Sequence, residues 1–599
     1  MNRLVDSRSD LYSLGVTLYE LIAGAPPFVS ADPLELIYSH VARPPLQLAQ
    51  RVPGLPATVA AVVHKLLAKE AEERYQSASG LRADLQECLQ RLDAGGQIAP
   101  FALGKSDRSE GLRIPQKLYG RQEEARALMD AFARTAAGAV NLLLLSGYAG
   151  VGKSALVHEV YKGIARRGGY FVAGKFEQLN RHVPYAALAS ALRDLVQQIL
   201  TEPADKLAEW RRRLQEAVGK SGQLLTNLLP ELTLVLGPQP PLPEVGPTEA
   251  QTRFMLSVQR FVSVFSARAP LVLFLDDLHW IDPASLQLLQ QLLGSPDSRH
   301  LLIIGAYRGA GPDQNHEQSD AHPLALTVEV LRSAGARCTE LALGPLDRET
   351  VETLLDETLD QQRGAAAELA QLVWDKTQGN PFFVNQFLLG LHQSGLLWFD
   401  ATAGRWTWDV QRIQAAEVTD NVVDFLLGKL RRLSPAAQQL LKLGACLGFR
   451  FPLELLAALR ERDQADTAGA LWEAQQEGLI VALAGEYRFL AAGRSALAVP
   501  GTELPVAQIW YRFLHDRIQQ AAYALGTPAE RAELHLRIGR LLQAQGDVLA
   551  SDERLFELVN HFSEGAALIH EATGRAAVLK LAIAAGRRAK AAAAHAAAA

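Results

Sequence analysis

Residues 147–154 read Gly-Tyr-Ala-Gly-Val-Gly-Lys-Ser, and no other stretch of this 599-residue chain restricts its fold as much. Gly-x4-Gly-Lys-Ser has a use in one setting, where a buried strand ends and a helix begins. The flanking residues supply that setting. Asn-Leu-Leu-Leu-Leu-Ser before it is an apolar run of strand length, and Ser-Ala-Leu-Val-His-Glu-Val-Tyr after it carries apolar residues at helical spacing. The glycines let successive backbone N–H groups turn toward an anion, and the helix N-terminus adds the positive end of its dipole. The expected ligand is therefore a nucleoside triphosphate with Mg²⁺, namely ATP. Its predicted contacts are Gly147, Gly150, Val151, Gly152, Lys153, Ser154 and Ala155. Lys153 is expected to reach the β- and γ-phosphates as a catalytic group, and Ser154 to hold the metal.

A second apolar run, Leu-Val-Leu-Phe-Leu-Asp-Asp at 271–277, ends in two carboxylates. Asp276 is the expected metal partner of Ser154. Asp277 stands where a carboxylate polarises an attacking water as a general base. Arg308 closes a third run, Leu-Leu-Ile-Ile-Gly-Ala-Tyr-Arg, and is expected at the same sheet edge as a γ-phosphate sensor. Together with Tyr-Phe-Val-Ala-Gly-Lys-Phe at 170–176, these runs alternate with helical patterns. That order predicts an α/β P-loop fold, a parallel sheet with helices on both faces, over 117–345. A mostly helical insertion is expected near 183–248.

Composition narrows the class of protein. Hydrophobic residues make up 48% and charged residues 21%, and the net charge is −5, so no overall basic surface calls for nucleic acid or an anionic membrane. Cys88, Cys338 and Cys446 stand far apart with neither metal-ligand nor disulfide-framework spacing, which fits a reducing cytoplasm. The polar N-terminus has no apolar signal core, and no apolar run approaches the ~18 residues that span a bilayer. Both termini read as cut from longer sequence, since Ala591–Ala599 stops in helical composition without a capping residue.

Leu-Tyr-Gly-Arg-Gln-Glu-Glu before the loop, Leu-Asp-Asp-Leu-His-Trp-Ile-Asp, Gly-Ala-Tyr-Arg-Gly and Lys-Thr-Gln-Gly-Asn-Pro-Phe-Phe-Val (376–384) together resemble the STAND signal-transduction ATPases within the AAA+ superfamily. The resemblance covers roughly 118–390. It implies adenine contacts at Tyr119, Gly120, Arg121 and Pro381, with Gln122 departing from the family's more frequent Glu. It also implies a nucleotide-dependent switch, and an assembly state that follows the nucleotide.

Residues 9–28 and 71–85 resemble the last third of a serine/threonine protein kinase. Asp10 and Gly15 match its Asp-x4-Gly, and Arg74 matches its late arginine. The Gly-rich loop, His-Arg-Asp and Asp-Phe-Gly motifs are not found, so residues 1–92 are read as a partial, inactive kinase C-lobe followed by a linker at 93–116. After Gly344 the chain reads as almost all helix, apart from expected strands at 479–483 and 509–514; the expectations there are a helical lid (346–420), a winged-helix-like domain (421–525) and the start of tetratricopeptide-like repeats (526–599) that bind protein partners. The helix Ala-Leu-Trp-Glu-Ala-Gln-Gln-Glu-Gly-Leu carries two Glu and no Lys or Arg, so no direct nucleic-acid contact is expected. His515 and Asp516 are read as a helix cap and a buried polar contact.

The expected function is an ATP-binding and slowly hydrolysing module of a bacterial serine/threonine kinase–ATPase–GAF–histidine kinase. The alternatives are a STAND-type transcription activator whose DNA-binding domain lies beyond the C-terminus, and a nucleotide-gated scaffold that binds without turnover.

Overall fold

Alternate residues of the central strands feed two separate cores, and this places helices on both faces of one sheet. The computed structural model describes residues 8–29, 39–40, 43–69, 73–105, 107, 112–115, 117–166, 168–177, 183–243, 245–309, 329, 337–400, 405–415, 422–483, 509–544 and 552–591. By contact, the chain divides into two compact units. One comprises Met1–Pro115, Leu355–Ala365 and Leu389–Ile413; the other comprises Gln116–Leu354, Ala366–Leu388 and Gln414–Ala599.

The second unit is built on five parallel strands in the order β2-β3-β4-β1-β5. They are β1 (Val140–Gly147), β2 (Tyr170–Lys175), β3 (Leu271–Asp276), β4 (Leu301–Tyr307) and β5 (Arg337–Leu343). Leu143, Leu145, Val272, Phe274, Leu302 and Ile304 pack with the helices Gln122–Ala136 and Lys153–Arg166. Leu142, Leu144, Leu271, Leu273, Leu275 and Ile303 join the opposite core, built by the helices Ala186–Leu200, Ala204–Val218, Pro247–Ser266 and Pro283–Gly294. The period-2 alternation of strand side chains produces this division. Each fully buried Leu, Ile, Val or Phe contributes about 1.5–3 kcal/mol. The helices from 183 onward are thus the cover of one sheet face. Trp210 stacks on Phe265 at a centroid distance of 4.8 Å within that cover.

β5 has no counterpart among the runs read from sequence. Its residues Arg-Cys-Thr-Glu-Leu-Ala-Leu alternate poorly because it is an edge strand, exposed or half-buried until Leu343. The described chain after Gly344 is largely helical, as expected, with short strands beyond those read from sequence. An antiparallel pair, β6 (Leu397–Asp400) and β7 (Arg405–Trp408), lies in the first unit, where Trp406 is buried.

The three-stranded antiparallel sheet β8-β10-β9 uses Arg450–Pro452, Trp510–Phe513 and Ile480–Ala482. Its β9 and β10 fall within the two runs expected as strands, whereas β8 was not foreseen. The helices beside it start where capping side chains dictate. Ser434 accepts from the Ala437 N–H to open Pro435–Leu447, and Asp463 accepts from the Asp466 N–H to open Gln464–Gln476. Phe451, Tyr511 and Phe513 bury the sheet in a core shared with the helices Asp516–Ala524, Pro528–Ala544 and Asp552–Glu564. A last helix runs Ala572–Ala591, and the alanine run beyond it lies outside the described residues.

In the first unit Asp10 and Gly15 lie on the helix Arg8–Ala23, with Gly15 buried against Leu66. Arg74 donates to the carbonyls of Ala68 (2.7 Å) and Lys69 (3.1 Å).

Candidate active site

The phosphate loop forms because β1 ends at Gly147 and the next helix begins at Lys153, with a tight turn between them. Gly150 and Gly152 take φ of 84° and 102°, a region that favours glycine. Lys153 is buried, and its Nζ donates to the carbonyls of Gly147 (2.8 Å) and Tyr148 (3.0 Å) across its own loop. Burial holds its ammonium below the usual lysine range, against the pull of Asp276 and Asp277. Val151 is fully buried in the core beneath the loop, and Ala155 follows Ser154 in the helix.

Ser154 Oγ donates to Asp276 Oδ2 at 2.7 Å, although 122 positions separate them. β3 delivers that carboxylate. It pairs with β4, which pairs with β1, so all three strands end at the same sheet edge. The other oxygen of Asp276 accepts from the Asp277 N–H at 3.0 Å. One hydroxyl and one carboxylate oxygen converging at a phosphate loop fit Mg²⁺, a hard cation that takes few protein ligands and completes its shell with phosphate and water.

Asp277 turns sharply from β3, with φ 54° and ψ 44°. That left-handed conformation costs a non-glycine residue about 1 kcal/mol, and Asp is among the residues that tolerate it. The side chain is buried. Lys175 Nζ lies 3.4 Å from its Oδ2, and His279 Nδ1 lies 3.8 Å from its Oδ1. Burial first, then the charges of Asp516 and Asp276, push its carboxyl up to about 7. Lys175 also hydrogen-bonds Asp516 Oδ1 and stands over the Phe449 ring at 4.1 Å. Burial acts against the charged form of Lys175, but Asp516 and Asp277 outweigh it and hold the ammonium above its usual range. Asp516 is held below the usual carboxylate range: burial would raise it, and Lys175 overrides burial. His515 accepts from the Arg517 N–H (3.1 Å), stacks on Phe382 at 4.1 Å, and is pushed down to about 4 by burial.

Arg308 follows β4 and lines a cavity of about 330 Å³ together with Lys175, Asp277, Trp280, Phe449 and Asp516. The Gly-Asn-Pro segment closes on the loop from above. Asn380 Nδ2 donates to Ala149 O (3.0 Å), and the Phe382 N–H donates to Gly150 O (3.2 Å). Pro381 opens the helix Pro381–Gln393. On the other side, Tyr119 is buried, Gly120 abuts Thr350, and the Arg121 guanidinium bonds Gly344 O and Glu124 Oε1 (3.2 Å). The Leu346 N–H donates to Gly379 O at 2.8 Å and ties the two flanks together. The Arg121 head group is thus engaged with protein partners.

Residues 117–304 match the AAA ATPase domain family.

The matched residues hold β1, β2, β3 and the start of β4, while β5 and the Gly-Asn-Pro segment lie past them. Over 702 aligned residues, 98% of this chain, the sequence is 29% identical to a hybrid signal transduction histidine kinase of Dictyostelium discoideum. A shorter alignment of 106 residues is 45% identical to the serine/threonine-protein kinase PknB of Mycobacterium leprae and covers 18% of this chain. The chain spans 20% of the first relative's length and 16% of the second's. Among solved structures, a STAND protein with a tetratricopeptide repeat sensor from Pyrococcus horikoshii aligns at a TM-score of 0.40 and 14% identity. That alignment covers 80% of this chain and 52% of the other.

Lys175, Asn380 and Asp516 were not among the expected site residues. A lysine ending a buried strand, at the sheet edge where two carboxylates end another, was the available signal for Lys175. Among the described residues no group of three or more His, Cys, Asp and Glu side chains forms a metal site, and no helix is long and apolar enough to cross a membrane.

Proposed function

We propose that the AAA ATPase domain binds Mg·ATP and hydrolyses it slowly, so that nucleotide state switches a signalling protein of the serine/threonine kinase–ATPase–histidine kinase type. The observation that carries this reading is the Ser154–Asp276 hydrogen bond at 2.7 Å, which joins the phosphate loop to the second carboxylate motif. Lys153 moves from its loop carbonyls to the β- and γ-phosphate oxygens. Ser154 and Asp276 would hold Mg²⁺, which would supply neutralisation of the phosphate charge when bound. Asp277 orients the attacking water and accepts its proton, a task suited to a carboxyl poised near neutral pH. Arg308 faces the charge that develops on the γ-phosphate. The Gly-Asn-Pro clamp and the 119–121 segment border the place for adenine, with Tyr119, Gly120, Arg121 and Pro381 as its contacts.

No motif of the sequence places a second arginine as a finger acting on the γ-phosphate in trans, which favours slow turnover. The kinase-like segment retains Asp10, Gly15 and Arg74 but none of the phosphoryl-transfer motifs, so the ATP chemistry belongs to residues 117–345. The helices Pro528–Ala544, Asp552–Glu564 and Ala572–Ala591 are the proposed surface for protein partners, and the cysteine usage fits a cytoplasmic setting.

ATP binding and steady-state hydrolysis by the chain test the reading, beside Lys153→Ala and Asp277→Asn. Lys153→Ala is expected to abolish binding. Asp277→Asn is expected to retain binding and lose turnover by on the order of 10²-fold or more. Wild-type hydrolysis no faster than that of Lys153→Ala removes the enzyme claim.

A further inference from the structure

We propose that Lys175 is a positioning residue for Asp277, acting through that carboxylate and not on the nucleotide; this rests on the ATPase reading above. Lys175 ends β2 directly across from Asp276 in the parallel register of β2 and β3, so its side chain leaves the sheet at the edge where the two carboxylates stand. Its Nζ lies 3.4 Å from Asp277 Oδ2, hydrogen-bonds Asp516 Oδ1, and sits 4.1 Å from the centre of the Phe449 ring. One hydrogen bond, one ion pair and one cation–π contact thus hold the ammonium group. They come from three separate parts of the fold: the turn after β3, the start of the helix Asp516–Ala524, and the loop before β8. A lysine on its own samples many rotamers; one tied to three elements is a fixed cation.

Asp277 needs such a partner. Its backbone turns away from β3 in the left-handed region, and its side chain is buried, so neither strand geometry nor bulk water sets its orientation. Lys153, the other ammonium at the site, is spent on the carbonyls of Gly147 and Tyr148. Lys175 therefore aims the carboxylate, and the cavity of about 330 Å³ that both residues line with Arg308 leaves room for a water beside it.

The test compares ATP hydrolysis and ATP affinity of the wild-type chain, Lys175→Gln, Lys175→Arg, Asp277→Asn and the Lys175→Gln/Asp277→Asn double variant. Lys175→Gln is expected to lower kcat about tenfold or more while KM and the ATP Kd stay within about twofold, and Lys175→Arg to recover much of the loss. In the Asp277→Asn background, Lys175→Gln is expected to add nothing. A raised KM with kcat intact would mean direct contact with nucleotide, and losses that multiply in the double variant would mean independent action; either result overturns the proposal. Absence of wild-type turnover above Lys153→Ala refutes the ATPase reading by itself. The hold of Lys175 on Asp277 is then read from melting temperatures of the same nucleotide-free proteins. Non-additive shifts support it, and additive shifts overturn it.

Discussion

Gly150 shows how narrowly the loop is specified at the level of one residue. Its φ is 84°, and a Cβ there would stand 2.9 Å from both Asn380 Oδ1 and Phe382 Cβ. Gly150→Ala therefore combines left-handed strain with displacement of the clamp. We expect ATP affinity to fall on the order of tenfold or more, since left-handed strain alone costs about 1–2 kcal/mol and tenfold corresponds to about 1.4 kcal/mol. Fluorescent nucleotide titration reads the change, and unaltered affinity would show that the clamp is dispensable. Asn380→Ala removes the bond to Ala149 O without adding bulk. The loss should be about 0.5–1.5 kcal/mol of stability, read by chemical denaturation, with the phosphate loop still able to close on nucleotide.

At the scale of elements, close approach of strand and helix decides what substitution is tolerated. Gly174 in β2 leaves no space, because an added Cβ would come within 2.2 Å of the Ala187 carbonyl oxygen at the start of the helix Ala186–Leu200. Backbone cannot step aside as a flexible side chain can. Gly174→Ala should destabilise by about 1–3 kcal/mol or more and lower the melting temperature by several degrees. Gly469, inside the helix Gln464–Gln476 with nothing within 4 Å of an added Cβ, is the matched control. Gly469→Ala should raise stability by up to about 1 kcal/mol through helix propensity alone. Equal effects from the two substitutions would contradict the packing described for β2.

Across the whole molecule, stability is expected to depend on acid through a buried histidine pair. His535 and His561 place their Nδ1 atoms 2.8 Å apart, and His535 Nε2 meets the Tyr523 hydroxyl at 3.3 Å. Burial lowers both, with His561 pushed down to about 3 by burial and by His535. The unfolded chain titrates these rings near the ordinary value of about 6.5. Below that pH the unfolded state binds protons that the folded state refuses, so stability falls as pH drops. The loss reaches on the order of 2 kcal/mol by pH 5 for His561. Calorimetry at pH 7 and pH 5 should show a smaller decrease in melting temperature for His561→Leu than for wild type; equal decreases would exclude the pair as the cause.

The sequence by itself determined the phosphate loop, the strands β1 to β4 and the pairing of Ser154 with Asp276. Each of these depends on local order, either a glycine spacing at one strand–helix junction or a strand ending in carboxylates, and a parallel sheet brings such ends to one edge. Edge strand β5 and the β6–β7 pair escaped the reading, because half-exposed strands lack the alternation that buried ones show. Only the tertiary structure decided what surrounds Asp277. Lys175, Phe449 and Asp516 come from parts of the chain with no shared spacing, and the packing of the β8–β10–β9 region against the sheet edge brings them together. A buried carboxyl takes its proton affinity from burial and from the charges beside it. Neither is written in the pair Asp276–Asp277.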